Sequence, residues 1–242
     1  MKKIVVFTGA GISAESGIKT FRDADGLWEG HDVMEVASPE GWSADQELVL
    51  EFYNERRKQA LNAKPNDGHL ALAALEKTFD VTIITQNVDN LHEKAGSSKV
   101  IHLHGELFKS RSTLDEKLVY DMEGWELKTG DLCEKGSQLR PHIVWFGEMV
   151  PMMDRAALIA RKADIFIVVG TSLAVYPAAG LIHYVRESVP KYLVDPKIPE
   201  LPNIPNLVCL EKGGGDGIPL VIEMINKQFW SENGIGLFKN KI

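Results

Sequence analysis

Several short polar clusters in this chain carry side chains that could do chemistry, and each follows a run of apolar residues. Gly9-Ala10-Gly11-Ile12-Ser13 follows Ile4–Phe7 with only Thr8 between. Glycines there let the backbone approach a pyrophosphate, and a following helix would add N–H groups and a positive dipole end. A tight structural turn is the plain alternative. Gln86, Asn87 and Asp89 follow Val81–Thr85 and bring amides and one carboxylate, groups suited to ribose hydroxyls, a carboxamide or a held water. An Asx-rich helix cap would look similar. His102 and His104 are two apart, so an extended segment points both to one face. Histidine titrates near neutrality and is the usual general base. A metal would need a third ligand, and none is evident. Gly170, Thr171 and Ser172 end another apolar run, with small hydroxyls for phosphate or ribose, and Asp195 follows a further one.

These clusters need strands that end at one edge. Ile4–Phe7, Val81–Thr85, Val100–Leu103, Ile165–Val169, Tyr192–Val194 and Leu207–Leu210 read as buried strands. Helical patterns lie between them, at Gln46–Leu61, His69–Thr78, Arg155–Arg161, Ala178–Glu187 and Pro219–Phe229, with another helix starting near Ser13. The alternation predicts an α/β fold, a Rossmann-like doubly wound parallel sheet with a smaller inserted module. Polar residues just past the strands' C-terminal ends then face one crevice. Thr20–Trp42 reads as a long functional loop leading into helix, Lys109–Pro141 as the inserted module and Pro196–Pro205 as a surface connection. An ordinary hydride-transferring Rossmann enzyme would next show a second strand and a ribose-binding acid, about 20 residues on. Lys19–Trp28 offers instead an arginine and aromatics, a loop that could cover a nucleotide.

The totals agree with a globular protein: 242 residues, 44% hydrophobic and 25% charged, with a net charge of −7. An acidic balance disfavours unspecific nucleic-acid binding, which depends on lysine and arginine against phosphate. The Ile4–Phe7 run is too short for a secretory signal core, and no stretch approaches the roughly 18 apolar residues of a membrane span. Two cysteines, Cys133 and Cys209, make no disulfide scaffold, so a cytoplasmic protein is expected.

Taken together, Gly9–Trp28 (GAGISAESGIKTFRDADGLW), Thr85–His92 (TQNVDNLH), His102–Leu107 (HLHGEL), Leu139–Glu148 (LRPHIVWFGE) and Val169–Ala174 (VGTSLA) resemble the sirtuin family. Sirtuins move an acyl group from a lysine side chain to the ADP-ribose part of NAD, giving nicotinamide, free lysine and O-acyl-ADP-ribose. The resemblance implies that Gly9, Ala10, Gly11 and Ser13 cradle the pyrophosphate. Phe21 and Arg22 belong to the loop that closes over NAD. Gln86 and Asn87 hold the nicotinamide ribose, Asp89 the carboxamide, and His104 is the base. Gly170, Thr171, Ser172, Asp195 and Gly214 line the adenosine side. Val144, Trp145, Phe146 and Gly147 contact an acyl-lysine protein or peptide, with Val144 and Phe146 lining the tunnel.

Tyr53 and Arg56 share a helix face and resemble the Tyr-x-x-Arg pair of sirtuins that accept succinyl or malonyl lysine. A guanidinium matches a carboxylate and a phenol adds one hydrogen bond. A solvated charged face, continued by Arg57 and Lys58, is the plain alternative. Sirtuins usually hold a structural zinc on two CxxC pairs. Here Cys133 is the only cysteine of Phe108–Gln138, with Ser110, Ser112 and Thr113 near the first pair's place, so zinc is not expected. Packing through Leu118, Tyr120, Trp125 and Leu127 would hold that module instead. Asp195 stands where the family commonly has asparagine. The expected units are a Rossmann-like domain of 1–28, 69–108 and 139–242, a helical excursion 29–68, and the small module 109–138. The rival functions are a non-catalytic NAD or ADP-ribose binding module, an NAD-dependent oxidoreductase and an ADP-ribosyl transferase.

Overall fold

The structure is a computed structural model that describes residues 1–19, 27–28 and 30–232. The chain opens with β1 (Lys3–Thr8) and a single helical turn, α1 (Gly11–Ala14). A two-strand hairpin follows, β2 (Leu27–Trp28) and β3 (His31–Asp32), and then α2 (Val33–Val36), α3 (Pro39–Ala44), α4 (Gln46–Asn62) and α5 (Asp67–Leu75). Next come β4 (Asp80–Thr85), α6 (Leu91–Lys94), β5 (Val100–His102), β6 (Gly105–Ser112), β7 (Val119–Asp121) and β8 (Leu139–Ile143). The last elements are α7 (Met153–Ala160), β9 (Ile165–Val169), a 3-10 helix (Ala178–Tyr184), β10 (Lys191–Val194), β11 (Leu207–Leu210) and α8 (Gly214–Glu232).

Each of the apolar runs read as strands enters one six-stranded sheet in the order β11-β10-β9-β1-β4-β5. Every pairing in it is parallel. The connections run outward in both directions from β1 and β9, so the sheet is doubly wound and its switch point lies between those two strands. Alternation along β1 divides the core into two layers. Ile4 and Val6 pack with Leu72 and Leu75 of α5 and with Ile218, Val221 and Ile225 of α8. Val5 and Phe7 pack on the other face with Ala156 and Ala160 of α7 and Leu181 and Ile182 of the 3-10 helix. Such fully buried side chains contribute about 1.5–3 kcal/mol each, which is why the sheet is the fixed frame of the molecule.

Beside this sheet, β7, β6 and β8 form a three-stranded antiparallel sheet. Gly105 starts β6 with φ +84°, and a side chain there would run into the His142 carbonyl. A third apolar cluster joins α2–α4 to this sheet through Trp42, Phe52, Leu107, Leu127 and Trp145. The α4 helix also grips the sheet by polar contacts. Arg57, fully buried, donates to the Leu107 carbonyl at 3.0 Å, to Asn54 Oδ1 at 2.9 Å and to the Trp125 carbonyl at 3.3 Å. Asn54 and Leu127 exchange a pair of hydrogen bonds at 3.0 and 2.9 Å. Of the residues expected to pack this module, only Leu127 is buried; Leu118, Tyr120 and Trp125 are half-buried.

Other expectations are corrected. The helix expected from Ser13 is one turn, so the loop before it has little macrodipole behind it. Ala178–Glu187 forms a shorter 3-10 helix, ending where Val185 turns extended; Gly180 inside it disfavours an α-helix. Pro219, read as a helix start, lies inside α8. The expected nucleotide loop residues Phe21 and Arg22 lie outside the described residues.

Candidate active site

The C-terminal ends of β1, β4, β5 and β9 meet at the switch point, and a cavity of about 280 Å³ opens there. Gly9, Ala10, Ser13, Gln86, Asn87, Asp89, His104, Gly170, Thr171 and Ser172 line it. Tyr53 and Arg56 line it from α4, and Val144, Trp145, Phe146 and Gly147 from the segment after β8. Gly11, Asp195 and Gly214 do not line it, though Gly11 braces it. Asp195, at the end of β10, accepts the Lys197 N–H at 3.0 Å.

The glycines are required by crowding. Gly9 N–H donates to Val169 O at 3.0 Å, and Gly11 N–H to Gly170 O at 2.8 Å. A Cβ on Gly9 would lie 2.7 Å from both the Gly170 carbonyl and Thr171 Cβ. Two loops therefore lie backbone against backbone beneath the cavity, as a dinucleotide cradle needs.

The polar side chains form one network. Gln86 Nε2 donates to Thr171 Oγ1 at 3.0 Å, tying β4 to β9 across β1. Asn87 Nδ2 donates to the Gly9 carbonyl at 3.1 Å and to Ser13 Oγ at 3.0 Å, and Ser13 Oγ donates to Asp89 Oδ2 at 3.0 Å. Burial pushes the Asp89 carboxyl upward, against the pull of hydrogen bonds from Leu91 and Ser13. Below this network, His92 Nε2 meets Thr8 Oγ1 at 3.0 Å, Thr8 Oγ1 donates to Thr85 Oγ1 at 2.7 Å, and Thr85 Oγ1 accepts the Asn87 N–H at 3.0 Å.

The two histidines at the end of β5 and just past it do different things. His104 Nδ1 lies 3.2 Å from the Gln86 carbonyl, which can only accept, so Nδ1 carries the proton and Nε2 keeps its lone pair. Burial lowers its pKa, with a smaller upward pull from that hydrogen bond. A neutral imidazole with a free Nε2 on a cavity is a competent base at neutral pH. His102 instead bridges the Asn87 carbonyl at 2.8 Å and Glu93 Oε1 at 2.9 Å. Burial is the largest single influence and opposes its charge, but Glu93, the Asn87 carbonyl and Glu106 together outweigh it and the net shift is upward. His102 thus holds the loop that carries Asn87.

Arg56 is buried with its guanidinium 4.2 Å from the centre of the Trp28 ring. Tyr53 is fully buried, and burial pushes its phenol up to about 12 despite the nearby Arg56. Phe146 is 42% exposed at the cavity rim, whereas Trp145 is turned inward and is 2% exposed.

The model of the Sir2 family matches residues 9–177 of this chain. The chain belongs to the Sir2 family. Among its relatives, the NAD-dependent protein deacylase of Bacteroides thetaiotaomicron is 55% identical, over 90% of this chain and 95% of that protein. The NAD-dependent protein deacylase of Helicobacter pylori (strain 26695) is 53% identical, over 93% of this chain and 99% of that one. The crystal structure of a Sir2 homolog–NAD complex is 40% identical with a TM-score of 0.83, covering 94% of this chain and 90% of that one. The sirtuin fold and the doubly wound sheet expected from the residues are therefore shown. The donor set fits NAD: a close-approach glycine cradle, amides and one carboxylate around a cavity at the sheet's switch point.

The residues do not fit the zinc that the resemblance associates with the small module. Cys133 Sγ there lies 3.2 Å from Ser137 Oγ, and Ser137 Oγ lies 2.8 Å from Ser112 Oγ. One thiol and two neutral hydroxyls are not a zinc donor set. Among the described residues, no group of three or more His, Cys, Asp and Glu could hold a metal. The same region holds what the sequence reading missed. Arg57, named only in the alternative of a solvated charged face, is a buried tie between α4 and Leu107 of the small sheet. Its only sequence signal was its place one residue from Arg56.

Proposed function

We propose that this Sir2-family chain is an NAD-dependent protein-lysine deacylase that accepts carboxylate-bearing acyl groups, succinyl and malonyl, and acetyl as well. The observation that carries the acyl assignment is the placement of Tyr53 and Arg56 together in the wall of the His104 cavity. Supporting the activity are the names of the relatives at 55% and 53% identity, both NAD-dependent protein deacylases. When bound, NAD supplies the sugar carbon from which nicotinamide leaves and the ADP-ribose that receives the acyl group.

The chain's own residues divide the rest. Gly9, Ala10, Ser13, Gly170, Thr171 and Ser172 cradle the phosphates and adenosine ribose, with Gly11 bracing them and Asp195 and Gly214 beyond on that side. Phe21 and Arg22 close over the cofactor. Gln86 and Asn87 orient the nicotinamide ribose, and Asp89 the carboxamide. His104 Nε2 takes the proton. Val144, Phe146 and Gly147 carry the substrate strand, an acyl-lysine peptide added by main-chain hydrogen bonds. Arg56 receives the acyl carboxylate as a bidentate partner and Tyr53 donates one more hydrogen bond. The working units are 1–28, 69–108 and 139–242 for NAD, 29–68 for the acyl pocket and 109–138 for support. Both cysteines are free, which fits a reducing compartment such as the cytoplasm, and no described helix is long and apolar enough to cross a membrane.

The test is mass spectrometry of matched succinyl- and acetyl-lysine peptides incubated with NAD. NAD-dependent loss of succinyl is expected, absent in His104→Ala and reduced about 100-fold in kcat/KM for Arg56→Met, by the loss of a charge-assisted pair. Removal of acetyl alone overturns the acyl assignment. Binding of NAD with neither acyl group removed overturns the activity.

A further inference from the structure

Trp145 stands in the segment assigned to the peptide, yet its indole faces inward and its Nε1–H donates to Tyr53 Oη at 3.0 Å. An indole nitrogen has no lone pair to offer, so the phenol cannot point its own proton back at Trp145. Burial keeps that phenol protonated at neutral pH. The indole is itself held on several sides. The Arg140 guanidinium lies 3.3 Å from the ring centre, and the Trp42 ring packs at 5.8 Å. Glu148 Oε2 accepts the Trp145 backbone N–H at 2.7 Å. Glu148 is clamped in turn by Arg140 at 2.7 Å and Arg111 at 3.0 Å, both from the three-stranded sheet.

We propose that Trp145 is a positioning residue for acyl selectivity: its indole N–H occupies the acceptor side of Tyr53 Oη and so commits the phenol to donate toward an acyl carboxylate. This rests on the carboxyl-acyl reading above and adds the group that aims its phenol. The Glu148 clamp gives the small sheet a part in selectivity, because β6 and β8 hold the indole in register.

Trp145→Phe keeps an aromatic ring and deletes the donor. Rates on matched succinyl- and acetyl-lysine peptides at saturating NAD separate selectivity from general loss of activity. The succinyl-to-acetyl ratio of kcat/KM falls roughly tenfold, mainly through KM, the size expected for one hydrogen bond to a charged group. Adding Tyr53→Phe to Trp145→Phe lowers the ratio little further, because Trp145→Phe already releases the aim of the proton that Tyr53→Phe deletes. A ratio unchanged within about twofold in folded Trp145→Phe, or full additivity of the pair, overturns the proposal. A second measurement does not depend on that variant folding. In full-length protein carrying 15N-tryptophan, one indole N–H resonance moves on Tyr53→Phe. The same resonance moves on adding succinyl-lysine peptide more than on adding acetyl-lysine peptide. No indole response to Tyr53→Phe overturns the proposal. If wild-type protein shows no succinyl preference, the carboxyl-acyl reading itself fails and takes this proposal with it. If Arg56→Met removes a real preference and Trp145→Phe does not, only the present proposal fails.

Discussion

His104, the base of the proposed reaction, has its tautomer set by a single contact. The Gln86 carbonyl holds the proton on Nδ1, and burial discourages a second proton. The sign of the shift fixes the pH behaviour. A lowered pKa keeps His104 neutral to a more acidic pH than an ordinary histidine near 6.5. The acid limb of kcat/KM is therefore expected below pH about 6.5, measured on the peptide assay from pH 5 to 8. A limb above the ordinary value would show that another group, or a charged His104, controls the rate. His102, only two residues away, is pushed the opposite way by Glu93, so the pair is separated by environment rather than by residue type.

At the scale of elements, α4 does two jobs on adjacent faces. Tyr53 and Arg56 face the cavity, while Arg57 reaches Leu107 of β6 and Asn54 reaches Leu127 in the connection between β7 and β8. Arg57 stays protonated at neutral pH although burial lowers it to about 10. Its removal strands the buried Leu107 carbonyl and takes a donor from the half-buried Trp125 carbonyl. Arg57→Leu is expected to destabilise the protein by about 3 kcal/mol in urea unfolding, from lost charge-assisted bonds and unsatisfied acceptors. A loss under about 0.5 kcal/mol, the range of ordinary surface changes, would mean that water replaces those bonds readily. The Arg57 result also tests what holds a module in which serines and one cysteine stand near the expected zinc ligands. Packing was expected there, and the structure adds polar ties from Arg57 and Asn54 of α4.

Over the whole molecule, the histidines behind the site couple folding to pH. His69 and His92 are buried with rings 4.8 Å apart, and burial lowers His69 to about 4 and His92 well below its usual value. Both are neutral in folded and unfolded chains above pH about 6.5, so stability is at its full value there. Below it the unfolded chain binds protons that the folded chain refuses, and stability falls as pH drops from about 6.5 toward 4. For His69 alone the loss approaches roughly 3 kcal/mol. Urea midpoints measured across that range should fall, and His69→Gln should flatten the slope; a flat wild-type profile would mean that both rings are protonated in the folded protein. The sequence by itself determined the strands and the polar clusters at their ends, because a strand buried on both faces needs an unbroken apolar run and its last residues must face the crevice. Gln86, Asn87, Asp89, His104 and Gly170–Ser172 were legible for that reason. Only the tertiary structure decided which groups pair across elements. Arg57 and Lys58 are both charged residues on one helix, yet Arg57 is fully buried against Leu107, while Lys58 is half-buried, with its ammonium 3.8 Å from the centre of the Trp125 ring and paired with Glu55. Trp145 and Phe146 are neighbouring aromatics, yet only Trp145 reaches Tyr53, through a contact between residues 92 apart in the chain. Local periodicity carries no information on such long-range partners, whose positions follow from how separately folded layers come together.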